Sequence, residues 1–230
     1  MLNCFLLYTY GSSYSNNDIL FCQQSLAGCY NKSMKTEFEA KFTDVDHDEI
    51  RKRLKEQGAV LEQPLRIMKR VIIHTAEMTK INAFVRIRDE GHRVVITYKQ
   101  FDDNTIEGAK EYEIEVSDFD EAVNIFSASG LKYDAYQESK RENWRLKDIE
   151  ITLDEWPWLN PYIEIEGKSE KDIKEAAKLL GLDWSNTLFG SVADIYKKQY
   201  PHIGDGGIEI INHEWSVIKF ENPVPEILKE

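Results

Sequence analysis

From residue 35 onward the chain alternates apolar and polar residues with a period of two, interrupted by stretches where apolar residues return every three or four positions. In KTEFEAKF, Phe38, Ala40 and Phe42 fall on one side of a strand, and Glu37, Glu39 and Lys41 on the other. The same pattern predicts strands over 35–43, 66–75, 82–89, 93–101, 109–116, 135–146, 149–154 and 161–166. Helices are predicted near 46–57, 117–129, 169–180 and 190–199. In the first three, Asp46, Ser117 and Ser169 stand as N-caps three residues ahead of an acid, and Gly58, Gly130 and Gly181 follow as stops. The stripes Ile50/Leu54, Phe119/Val123/Phe126 and Ile173/Ala177/Leu180 suit packing on one face of a sheet. The expected class is α+β, with strands dominating and helices packed outside.

The other face of these strands is charged. Arg86 and Arg88 oppose Ala83, Val85 and Ile87, while Arg93, Thr97 and Lys99 share a side. Arg66, Arg70 and His74 oppose Leu65, Ile67, Val71 and Ile73. Glu111, Glu113 and Glu115 alternate along one strand, as do Ser139, Arg141, Asn143 and Arg145 along another, and Asp154, Glu164 and Glu166 complete the set. On a single strand such alternation is an ordinary solvated face. Across seven or eight strands, helices must cover the apolar side, which turns the ionised side inward. About eight strands closed into a barrel leave room for side chains or one small ligand. Arginine and lysine suit phosphate oxygens. Carboxylates without Cys or His partners suit Mg²⁺ or Mn²⁺ rather than zinc. Together they describe a metal bound to a polyanion.

Composition narrows the partners. A net charge of -12 argues against a nonspecific nucleic-acid or anionic-membrane surface. No apolar run approaches the ~20 residues that span a bilayer. All three cysteines, Cys4, Cys22 and Cys29, lie before residue 34, and no basic residue precedes Lys32; both features argue against secretion and for the cytoplasm. Residues 1–33 are expected to be an upstream extension, with a short docking segment as the alternative, and the functional domain to run over 34–200. Residues 201–230 form a turn-rich C-terminal tail. Tyr133, Tyr136, Trp144, Trp156 and Trp158 read as core or rim aromatics. Gly-rich phosphate loops, zinc spacings and nucleophile elbows are absent from the sequence.

Glu37, Glu39 and Lys41 spell ExExK, and FVRIR, ITYK, KEYEIEV, ESKRENW, ITLDEW and YIEIEG follow in order. Over about 34–200 the chain thereby resembles the CYTH superfamily, the triphosphate tunnel metalloenzymes. The resemblance implies an eight-stranded antiparallel β-barrel holding a divalent metal and a triphosphate. It implies Glu39, Asp154, Glu164 and Glu166 as metal or metal-water ligands with Glu37 near them, and Lys41, Arg86, Arg88, Lys99 and Arg141 as phosphate ligands. Ser139 stands where the family usually has a second inward base, and Arg70 or Arg145 are the candidates to compensate. Lys41 and Glu37 are the catalytic candidates; Lys41 could deprotonate a water only if neighbouring bases depress its pKa. The implied function is Mg²⁺- or Mn²⁺-dependent hydrolysis of tripolyphosphate, thiamine triphosphate or a nucleoside triphosphate. The alternatives are a class IV adenylyl cyclase, which often carries a His-Phe pair upstream of ExExK that this chain lacks, and a noncatalytic polyphosphate- or nucleotide-binding module. A triphosphate-containing small molecule is the expected partner, with a homodimer as an allowed assembly.

Overall fold

Eight strands pair antiparallel into a closed ring: β1 (Lys35–Thr43), β2 (Val60–Ile73), β3 (Ala83–Asp89), β4 (Val94–Phe101), β5 (Ala109–Val116), β6 (Ala135–Leu146), β7 (Ile149–Glu155) and β8 (Tyr162–Gly167). Their order is β2-β3-β4-β5-β1-β8-β7-β6, and β2 pairs with β6 to close it. This computed structural model describes residues 33–204 and 216–229. The reading of 1–33 therefore lies almost wholly outside the described residues.

Helices α1 (His47–Glu56), α2 (Ala76–Lys80), α3 (Phe119–Ala128), α4 (Glu170–Leu179) and α5 (Val192–Gln199) interrupt the meander. Asp46 accepts from the amides of Asp48 and Glu49 to start α1, and Ser169 accepts from Asp172 N to start α4. The cap of α3 is Asp118 rather than Ser117, its carboxylate accepting from Glu121 N. Gly58, Gly130 and Gly181 each take the left-handed φ that ends a helix, at 74°, 85° and 64°.

The apolar stripes of α1 and α4 bury Ile50, Leu54, Ile173, Ala177 and Leu180 against Ala40, Phe42, Ile151, Ile163 and Ile165 on the outer faces of β1, β7 and β8. A second cluster packs Phe119 and Ala122 of α3 on Val71, Ile73, Val85 and Ile87. Losing a side chain such as Ile165 would cost about 2–5 kcal/mol through transfer and cavity terms. With the outside of the barrel covered there by helices, the alternate residues must face the lumen.

Three sequence expectations change. Strand β2 begins at Val60, six residues before the predicted start, because register shifts between Leu61 and Arg66 absorb Pro64, which has no N–H for the ladder. Its other end yields to α2, capped by Thr75. Leu65 and Ile67 point outward as expected, yet no helix covers them and they stay exposed. Beyond the barrel, β9 (Val217–Ile218) runs parallel to β6 at Tyr136 and Gln137, the edge that β7 leaves unpaired before Lys140.

Candidate functional site

The inward residues line one cavity of about 250 Å³. Glu37, Glu39 and Lys41 reach it from β1, Arg70 from β2, Arg86 and Arg88 from β3, and Lys99 from β4. Arg141 comes from β6, and Glu164 and Glu166 from β8. Strand pairing explains the company they keep: Glu39 lies opposite Glu166, Lys41 opposite Glu164, and Arg70 opposite Arg88.

Asp154 is the exception. It has the expected parity but is fully buried, below the cavity wall, where it accepts from Arg141 Nε at 2.7 Å and Thr152 Oγ1 at 2.6 Å. Its place in the fold is that of a support for Arg141, whose Nη2 donates to Glu164 Oε2 at 2.6 Å. Arg145 pairs with Glu62 and with the lining residue Glu150 but does not itself line the cavity, so of the two candidates to compensate for Ser139 only Arg70 reaches the lumen. Glu115 is exposed at the far end of its strand.

On the side formed by β1, β4 and β8, acids and bases neutralise each other. Lys41 contacts Glu39 and lies 3.6 Å from Glu164, while Lys99 Nζ sits 2.6 Å from Glu37 Oε2 and 3.7 Å from Glu39. Lys35, mostly exposed, pairs with Glu166 at 3.0 Å. Burial alone would lower the Lys41 ammonium, but Glu39 and Glu164 outweigh it and hold its pKa above the ordinary lysine value. The condition for Lys41 as a general base is thus not met, because its nearest neighbours are carboxylates rather than cationic side chains. Burial works against Glu164 too, yet Arg141 and Lys41 keep it well below the usual range, so it stays ionised. Burial, then the neighbouring Glu37, push the Glu111 carboxyl up to about 7.

The side formed by β2, β3 and β6 is overcharged. Burial, then repulsion from Arg86 and Arg88, lower Arg70 to about 9; burial and Arg86 lower Arg88 to about 10. Arg70 donates from Nε to Gln137 Oε1 at 2.8 Å and stacks over Trp156 at 4.3 Å. Neither partner carries a negative charge. Among the described residues, the buried side-chain polar atoms outside any hydrogen bond are Glu37 Oε2, which is ion-paired with Lys99, and Arg86 Nε and Arg88 Nε, and all three residues line this cavity. Two stranded N–H donors beside further arginines form a site that an anion completes.

Several lining residues went unselected in the sequence. Glu90 contacts Arg88 and accepts from Arg93 Nε at 2.8 Å. Arg66 donates to Asn143 Oδ1 at 2.9 Å, and Tyr162 and Trp156 complete the wall. Each extends an alternation already noted: Glu90 follows Arg86 and Arg88, Trp156 follows Asp154, and Tyr162 precedes Glu164.

Of the predicted metal ligands, Glu37, Glu39, Glu164 and Glu166 line the cavity, all oxygen donors, which fits a hard divalent cation in kind. Each leans on a lysine or arginine, and among the described residues no three acids, imidazoles or thiols converge as a ready cage. A cation entering here would displace Lys41 or Lys99 from a carboxylate.

The CYTH domain family model matches residues 35–196. A Methanocaldococcus jannaschii protein named "Putative adenylate cyclase" is 33% identical over 97 residues, which is 42% of this chain and 55% of that protein. The chain thus spans about half the length of this curated relative. The solved PH1012 protein of Pyrococcus horikoshii matches with a TM-score of 0.59 at 22% identity, over 69% of this chain and 98% of the other. A Vibrio parahaemolyticus structure described as "a putative adenylate cyclase" matches with a TM-score of 0.61 at 13% identity, over 70% and 97%. At these identities the two structures show a shared fold. Among the described residues, no helix is long and apolar enough to cross a membrane.

Proposed function

The chain belongs to the CYTH domain family, and we propose that it is a divalent-metal-dependent phosphohydrolase acting on a triphosphate. The observation that carries this reading is the pair of buried, unpartnered donors Arg86 Nε and Arg88 Nε in a cavity that also holds the carboxylates of Glu37, Glu39, Glu164 and Glu166. A polyanion would satisfy the first group and a divalent cation the second.

In this reading Arg70, Arg86, Arg88 and Arg141 take the phosphate oxygens. Catalysis of phosphoryl transfer rests mainly on such positioning and charge neutralisation. Glu37, Glu39, Glu164 and Glu166 would hold Mg²⁺ or Mn²⁺, which supplies neutralisation of phosphate charge when bound. Lys41 and Lys99, standing between the two groups, bind phosphate and shield it from the carboxylates. Glu37 is kept ionised by Lys99 against its burial, which suits it to accept the proton of an attacking water. The water oxygen bonds to the terminal phosphorus as the bridging P–O bond breaks, and orthophosphate departs.

The name of the Methanocaldococcus relative favours a second reading, cyclisation of ATP. Incubating the protein with tripolyphosphate, thiamine triphosphate and ATP, each with Mg²⁺ or Mn²⁺, separates the readings. Orthophosphate supports the proposal, whereas cyclic AMP with pyrophosphate replaces it by a cyclase. Binding without turnover leaves a noncatalytic module.

A further inference from the structure

Beside the tunnel lies a second cavity, of about 340 Å³. That places it within the range of about 300–1,000 Å³ typical of small-molecule pockets. The two cavities share Arg70, Phe84, Phe101, Ser191 and Val192 as lining, so a ligand gripped by Arg70 in the first reaches the second. Their chemistry differs. The first is lined by ionised groups on every strand. The second has a buried apolar floor of Ile72, Ala83, Phe101 and Ala193.

Three neutral amides are among its polar groups. Asn82 and Asn104 stand exposed at the rim, and Gln137 is buried with its Oε1 occupied by Arg70, which leaves its Nε2 to donate. The charged groups present are already engaged: Asp194 accepts from Ser191 N at 2.7 Å, and His74 faces Asp134 at 2.8 Å. Phe84 and Phe101 face each other at 6.4 Å with a 34° tilt, and His74 lies 5.9 Å from Phe84. Aromatic walls, an apolar floor and amide edges suit a flat, uncharged ring with hydrogen-bonding edges. They offer nothing to a fourth phosphate.

We propose that this second cavity holds the heteroaromatic base of the triphosphate gripped in the tunnel, so that the substrate is a nucleoside triphosphate rather than inorganic tripolyphosphate. The proposal rests on the triphosphate reading given above.

Binding of ATP, tripolyphosphate and thiamine triphosphate is read from thermal unfolding against ligand concentration without added metal, and orthophosphate release with Mg²⁺ is measured in parallel. ATP is expected to bind at least about tenfold more tightly than tripolyphosphate, as stacking on aromatic walls provides. Asn104→Trp, which fills the cavity from its exposed rim, should erase that preference while leaving tripolyphosphate affinity within about twofold. Asn82→Gly removes a rim amide at a position whose φ of 50° glycine tolerates, and should narrow the preference several-fold. Equal or tighter binding of tripolyphosphate overturns the proposal, as does loss of both ligands alike in Asn104→Trp. Thiamine triphosphate binding as tightly as ATP overturns the requirement for an uncharged ring. An intact preference for ATP without orthophosphate release keeps the cavity assignment and overturns hydrolysis; orthophosphate release without a preference does the reverse.

Discussion

The two sides of the lumen carry charge in opposite ways. On the β1, β4 and β8 side every ionised group has an opposite within reach, and its lysines are more firmly protonated than in water. On the β2, β3 and β6 side burial, then repulsion from Arg86, lowers Arg70 to about 9 and Arg88 to about 10, so both keep their charge at neutral pH at a cost. The first side is a finished network, and breaking it should harm the fold. The second is costly until an anion arrives, so it stores binding energy at the expense of stability.

The largest expected effect falls on activity. Glu166→Gln removes one carboxylate from the acid group at a partly exposed position, so folding should survive. Metal-dependent turnover should fall by about 10²–10³, the loss typical of one electrostatic contact in a preorganised site; orthophosphate release with circular dichroism checks both halves. Next in size, Lys41→Met removes the buried cation nearest Glu39, leaving it Lys99 at 3.7 Å, and one of the two cations on Glu164, and should cost about 3 kcal/mol of stability by denaturant titration.

Arg70→Met should do the reverse. Replacing a partly buried cation that has no carboxylate partner by a side chain of similar length should stabilise the protein by about 1 kcal/mol while weakening triphosphate binding. Equal destabilisation by Lys41→Met and Arg70→Met would erase the contrast between the two sides.

The smallest effect is in acid. Burial would raise Glu90, but Arg88 and Arg93 hold its carboxyl at about 2 against 4.5. A depressed carboxylate gives stability that is present above pH 4.5 and is lost as pH falls towards about 2. Melting temperatures of Glu90→Gln should therefore fall less steeply across that window than those of the wild type.

Much of this contrast was legible in alternation alone, because a lumen-facing strand forces its charges to every second residue. Glu37, Glu39 and Lys41 could be placed that way, as could Arg86 with Arg88. Alternation fixes the side of a strand but not depth: Asp154 has the right parity, yet Arg141 and Thr152 cover it. Nor does it reveal which opposite charge lies closest, which is why Lys41 looked surrounded by bases when its neighbours are Glu39 and Glu164. Pro64 hid the start of β2 because a local rule against proline in strands yields to a bulge. The stacking of Arg70 on Trp156 joins β2 to the residue that follows β7, far apart in sequence, and no local pattern carries it.

The central claim is that the overcharged side awaits a triphosphate. Calorimetric titration of tripolyphosphate into the wild type and Arg88→Ala tests it most directly. Saturable one-to-one binding is expected, weakened about 10- to 100-fold in Arg88→Ala by loss of a charge-assisted contact. Absence of saturable binding, or equal affinity in the two proteins, would contradict it.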